Sequence, residues 1–241
     1  MKRKIFLSAL LSLAVITISS AQDLDKILKD HFNAIGQKNL EKITSQKITG
    51  TLTSMGMGMG FTMYHKRPDK YKMVIEVQGA EMIQAVDGET AWTINPMMGS
   101  STPVEMSGVE AETMKEQADM DGVLWNYEDK GYLLALEEDS EEVNGNDCYV
   151  LKLTKKNGNN DFYYMDKASY LIHKVKTSTE SYGTPMEVET YISKYQEVDG
   201  YQMPFKIEQM VGGQVAVTIE MESVETNVAM DDAMFAKPTG N

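Results

Sequence analysis

The chain has 241 residues, a formal charge of −13 and a mean hydropathy of −0.35. Such an acidic surface repels phosphate, which argues against nucleic-acid binding and against general adhesion to anionic lipid headgroups. Cys148 is the only cysteine, so no internal disulfide can form and stability must come from the core.

Lys2, Arg3 and Lys4 precede an apolar stretch from Ile5 to Ile18, and Ser19, Ser20 and Ala21 are small. This is the tripartite pattern of a cleavable export signal, too short for a membrane helix, with cleavage expected after Ala21. The expected organisation is a signal peptide over 1–21 and a single domain over 22–241 in the periplasm. Without Lys2, Arg3 and Lys4 the charge becomes −16.

Leu24, Ile27, Leu28, Phe32 and Ile35 recur at helical spacing, with Gly36 as a stop. His31, on this helix, reads as a surface or half-buried residue. From Thr44 onward the pattern alternates with period two between turn residues. Tyr71, Met73, Ile75 and Val77 share one face of a strand, and Trp92 and Ile94 share a face of another after Asp87-Gly88. Tyr149, Leu151 and Leu153, then Met186, Val188 and Ile192, then Val215, Val217, Ile219 and Met221 repeat the pattern. Short connections favour antiparallel neighbours. The expectation is a mainly β protein, about ten strands in one large curved antiparallel sheet. Pro96 to Pro103 reads as a loop, and Val104 to Met120 as an inserted amphipathic helix with Ser107 near its start. The terminal helix and this insert are the candidates to cover the sheet.

All but Met1 of the 19 methionines lie beyond Ala21. Met55, Met57, Met59 and Met63 alternate in part with Gly56, Gly58 and Gly60. One strand from Thr44 to Lys66 would run about 75 Å at ~3.3 Å per residue, so a hairpin must break it near the glycines. Three readings of the methionines stand side by side: core filler around a flexible hairpin, a plastic lining for acyl chains, or a thioether site for Cu(I) at Met55, Met57 and Met59.

Catalytic motifs are missing. His31, His65 and His173 lack ligand spacing, and no phosphate loop, nucleophile elbow or His-Glu-x-x-His occurs, so neither a cofactor nor catalysis is expected. Asp119 and Asp121 before Gly122 resemble only a fragment of a calcium loop. The acid run Glu137, Glu138, Asp139, Glu141 and Glu142 reads as a solvated strand end.

Several segments together resemble the LolA/LolB-like group of periplasmic lipoprotein carriers, in the outer-membrane lipoprotein-sorting branch. They are Lys66-Arg67-Pro68-Asp69-Lys70-Tyr71-Lys72, Gln84 to Trp92 with Pro96, Tyr163-Tyr164-Met165-Asp166 with Tyr170-Leu171, Val198 to Pro204, and Met230 to Phe235. The resemblance implies an incomplete antiparallel β-barrel around an apolar cavity, plugged by helices. It also implies a carrier of acylated lipoprotein or other lipid, from an inner-membrane donor to an outer-membrane acceptor. The same fold resemblance extends to periplasmic sensors that bind a membrane regulator, a rival reading. On the carrier reading, Tyr71, Met73, Ile75, Trp92, Ile94, Tyr149, Leu151, Met186 and Val188 are expected to line the concave face. Met97, Met98, Met106 and Met114 are expected to form a movable cover.

Overall fold

The computed structural model describes residues 23–181 and 184–239; the expected export signal lies outside them. Helix α1 spans 23–34 and α2 spans Gln37–Leu40. Between them Gly36 takes φ 73°, and a side chain there would collide with the Gly200 carbonyl oxygen, so glycine is required.

Fourteen strands follow: β1 (Ser45–Ser54), β2 (Met57–Lys66), β3 (Lys70–Val77), β4 (Ala80–Asp87), β5 (Thr90–Asn95), β6 (Ser100–Glu105), β7 (Leu133–Leu136), β8 (Glu141–Val143), β9 (Asn146–Thr154), β10 (Asn160–Asp166), β11 (Ile172–Ser181), β12 (Thr184–Val198), β13 (Tyr201–Val211) and β14 (Gln214–Thr226). Helix α3 (Gly108–Ala118) is inserted between β6 and β7. All described pairings are antiparallel, in the order β6-β5-β4-β3-β2-β1-β14-β13-β12-β11-β10-β9-β7, with β8 on β9. The sheet is curved and does not close.

The long glycine and methionine stretch breaks at Met55-Gly56, between β1 and β2. Two features depart from expectation. The described residues form fourteen strands, not about ten. Pro96–Met98 is a 3-10 turn followed by strand β6, which contains Pro103, so the segment is not a loop. Proline is tolerated there because β6 is an edge strand of the sheet.

Register assigns every side chain to a face. Tyr71 lies opposite Val86, and Val86 opposite Ala91; Ile75 lies opposite Phe61, and Met73 opposite Met63. These residues pack with Ala111, Met114 and Ala118 of α3, spaced i, i+3, i+7. Val109 of α3 faces water. At the far side of the sheet, Leu24, Ile27 and Leu28 of α1 pack on Leu151 and Leu153 of β9 and on Tyr163 and Met165 of β10. Continuing the pairings from β3 to β9 puts both clusters on the same face, the inner one. The inner face therefore has two helix-covered flanks. Register shifts at Thr49/Gly50 and Gln209/Met210 mark bulges, which bend strands and sharpen twist.

The two ends of the sheet differ in chemistry. At the base, Lys66 and Lys70 meet Asp232 and Asp87, and Thr226 meets Asp199. The backbone N–H of Gln202 donates to the Ile35 carbonyl, fastening α1 to β13. At the other end lie the turns β1–β2, β3–β4, β5–β6 and β13–β14, without such ties. This end is called the mouth below.

Candidate functional site

Between the two covered flanks the inner face carries an apolar band and is incompletely covered. One cross-strand row runs Ile192, Ile207, Ile219, Leu52, Met59 over β12, β13, β14, β1 and β2. All five are half-buried. Ile192 and Ile207 belong to neither flanking cluster. Next to this row, toward the base, Met221, Gly50, Phe61, Ile75 and Met82 form a second row, in which Phe61 and Ile75 are buried. Val188 and Met186 continue the inner face of β12 toward the mouth. Between the isoleucine row and the mouth lies a mixed row, Thr190, Gln209, Val217, Ser54 and Met57. The result is a trough with an apolar floor and a partly polar step toward the mouth, open along its middle and at the mouth.

Of the sequence-predicted lining residues, Tyr71, Met73, Ile75, Tyr149, Leu151, Met186 and Val188 fall on the inner face. They are not one contiguous patch. The first three sit in the α3 flank, Tyr149 and Leu151 in the α1 flank, and Met186 and Val188 in the open middle. Trp92 and Ile94 are a correction: they point to the opposite, outer face. Trp92 pairs with Ala85 and Ile94 with Ile83, one residue out of phase with the inner pair Val86–Ala91. Trp92 is 1% exposed, and its indole Nε1–H donates to the Phe235 carbonyl at 2.8 Å, under the C-terminal tail.

The predicted cover divides in the same way. Met106 and Met114 are buried against the α3 flank. Met97 is 61% exposed in the turn joining β5 and β6 at the mouth. Met98 is in the same turn. Neither belongs to α3, which does the covering. Ser107 occupies the N-cap position of α3, but its hydroxyl makes no capping bond. Met57 and Met59 share the inner side of β2, while Met55 sits in the turn at φ 50°. Among the described residues no group of three or more His, Cys, Asp or Glu side chains is placed to hold a metal ion.

A depression of about 580 Å³ lies on the outer face, lined by Glu137, Glu138, Asp139, Glu141, Val150, Phe162, Tyr164 and Lys176. It is polar and separate from the trough. Cys148 is buried on this outer face beside Val150 and Tyr164, and burial raises its thiol pKa.

Sequence reading gave Arg67 no role, and the structure makes it the main clamp of the base. Its guanidinium donates to both carboxylate oxygens of Asp121, at 2.5 and 2.7 Å, and to the Leu40 and Ile43 carbonyls. Asp121 also accepts from Gln37 of α2 at 2.9 Å. Asp119, the other half of the calcium-like fragment, pairs with Lys130 at 2.5 Å. Both carboxylates are thus engaged by protein cations. Arg67→Met is expected to cost about 2–3 kcal/mol, because it leaves a half-buried carboxylate and two carbonyls short of donors. Denaturant unfolding of R67M, D121N and the double variant measures the coupling; additive effects would show that the clamp contributes nothing.

Two histidines are neutral fixtures of the same end. His31 is buried rather than half-exposed, with Nδ1 2.7 Å from the Tyr170 carbonyl. His65 Nε2 lies 2.7 Å from the Gln117 carbonyl at the end of α3, and its Nδ1 is buried without a partner. Burial lowers both pKa values, more than the carbonyl hydrogen bonds raise them. The unfolded chain therefore binds more protons below its ordinary histidine range near 6.5, and stability falls as pH drops through that value. Thermal melts should show Tm decreasing between about pH 7.5 and 5.5, above the range where most carboxylates titrate. A flat profile would rule out the buried neutral state.

No family model matches the sequence, and no curated protein matches it. Solved structures do share its fold. A DUF1329 family protein from Desulfovibrio piger ATCC 29098 superposes with a TM-score of 0.60 at 16% identity, over 87% of this chain and 97% of that one. A LolA superfamily protein from Nitrosomonas europaea gives 0.56 at 14% identity, over 84% and 98%. An outer membrane lipoprotein-sorting protein domain from Vibrio parahaemolyticus gives 0.56 at 14%, over 88% and 95%. The chain has the LolA-like fold: an unclosed antiparallel sheet with helices on its inner face.

Proposed function

We propose that this protein is an exported carrier that shields acyl chains of lipoproteins or other lipids in the trough of its inner face. The observation that carries the reading is the row Ile192, Ile207, Ile219, Leu52 and Met59, aliphatic and half-buried between two helix-covered flanks. An acyl chain loses about 0.8 kcal/mol of unfavourable hydration for each methylene buried, so even partial cover is a strong drive. Isoleucine and methionine contacts are non-directional, and methionine adapts to different chain shapes. Such a floor holds cargo without demanding one head group, which a carrier that must also release its load requires. The fold shared with a LolA superfamily protein and a lipoprotein-sorting domain supports the same class.

The test is to purify the protein from its native compartment, extract it with organic solvent, and identify lipids by mass spectrometry. Titration with a fluorescent fatty acid in vesicle-free buffer complements it. Stoichiometric lipid and saturable binding are expected. Protein that carries no lipid and does not bind the probe would refute the carrier reading.

A further inference from the structure

We infer that the mouth of the trough is a membrane-contact rim that seats on an electrically neutral lipid surface. The three turns β1–β2, β5–β6 and β13–β14 lie at the same end of the sheet. They expose Met55 (93%), Met57, Met97 and Val215 to water. Within a chain carrying 59 charged residues, the stretches Gly50–Met63, Thr90–Val104 and Gln209–Ile219 contain no Asp, Glu, Lys or Arg. The base of the sheet carries paired charges instead, including Arg67–Asp121, Lys66–Asp232 and Lys70–Asp87.

Met55 itself is an unusual choice. It occupies the first central position of the Met55-Gly56 turn, where both residues have positive φ, 50° and 75°. Asn, Asp or Gly is favoured there, because a larger side chain at positive φ meets steric resistance. A methionine that accepts that resistance and then points into water gains nothing from the rest of the fold. Its side chain finds apolar surroundings only if another surface arrives.

Charge selects the surface. Insertion of these three uncharged turns requires no ion to be desolvated, and exposed apolar turns of this kind enter the headgroup region. The β3–β4 turn at the same end is closed by Glu76 and Glu81, whose charges hold it at the water side of the headgroups. The strongly acidic remainder of the molecule is repelled by anionic headgroups. A neutral, zwitterionic bilayer satisfies both conditions. It also sets the open end of the trough against the membrane, so that an acyl chain can pass between bilayer and protein without crossing water.

Sedimentation with phosphatidylcholine vesicles tests the inference. The unaltered protein should bind, and the bound fraction should survive high salt and decrease when phosphatidylglycerol replaces part of the phosphatidylcholine. The variant M55D/M97D should bind roughly tenfold more weakly, a change of about 1.4 kcal/mol. Val109→Asp, which alters an exposed apolar residue on α3 at the base, should bind like the unaltered protein. Thermal melts check that the variants fold, and the fluorescent fatty acid should still bind M55D/M97D in vesicle-free buffer, since both residues lie in turns outside the inner-face rows. Failure to bind phosphatidylcholine, salt-sensitive binding that needs phosphatidylglycerol, or equal loss in Val109→Asp would overturn the rim. So would self-association through Met55 and Met57, seen by analytical ultracentrifugation, without vesicle binding. Loss of fatty-acid binding with vesicle binding intact would instead overturn the carrier reading and leave the rim standing.

Discussion

Ile207→Glu should abolish binding of a fluorescent fatty acid while leaving the protein folded. Ile207 sits in the centre of the open row, between Ile192 and Ile219 on the neighbouring strands. It is half-buried, so a carboxylate there can reach water and the fold tolerates it. An acyl chain laid along the floor would have to desolvate that charge, and burying an unpaired carboxylate costs several kcal/mol. An affinity loss of roughly a hundredfold or more is therefore expected, since each 1.4 kcal/mol is tenfold. Glu208, the next residue, faces outward opposite Tyr191, and Glu208→Gln is the matched control. Unchanged fatty-acid binding in Ile207→Glu, with an intact melting transition, would place the cargo somewhere other than the trough.

The second large effect concerns stability. Trp92→Ala should destabilise the protein by about 3–5 kcal/mol, the usual range for deleting a buried large aromatic. That corresponds to a fall in Tm on the order of 10 °C for a chain of this size. Two losses add: the indole leaves a cavity against Ala85, and the Phe235 carbonyl loses its donor. Phe235 is itself wholly buried, so here the C-terminal tail is anchored by both packing and a hydrogen bond. Because Trp92 faces away from the trough, the folded fraction of Trp92→Ala should bind fatty acid normally. Loss of binding at a temperature where the variant is folded would contradict the outer-face assignment.

Trp92 also shows how far the sequence could be read. Alternation in Tyr71-Lys72-Met73-Val74-Ile75 made the two sides of β3 legible, because lysine marks the wet side. In β5 both sides carry apolar residues, Trp92 and Ile94 on one and Ala91 on the other, so parity alone does not assign a face. The information was present in the turn. Gly88-Glu89 between Asp87 and Thr90 fixes the pairing Val86–Ala91, and hence the opposite side for Trp92. The partner that buries it, Phe235, is 143 residues away and follows from no local pattern.

Other features were hidden for different reasons. Strand β6 was masked by Pro103 and its serines and threonines, composition that suits an edge strand as well as a loop. The open row needs the register of five strands at once, and no single strand reveals it. Arg67 and Asp121 are 54 residues apart, and their pairing follows from the packing of α2 and the α3 exit against the base. By contrast, the terminal helix, its stop at Gly36, the hairpin at the glycine and methionine stretch and the inserted helix were all set by local chemistry. They emerge close to where the residues predict them.

The trough floor is held by interstrand amide bonds from β12 across to β2, not by the side chains that line it. Spacing between those strands is fixed near 4.8 Å by the ladder itself. Emptying the groove therefore removes no strut from the scaffold. On the carrier reading, loading and unloading exchange water for hydrocarbon over a floor whose spacing the ladder sets, so most of the work of transfer falls to the solvent.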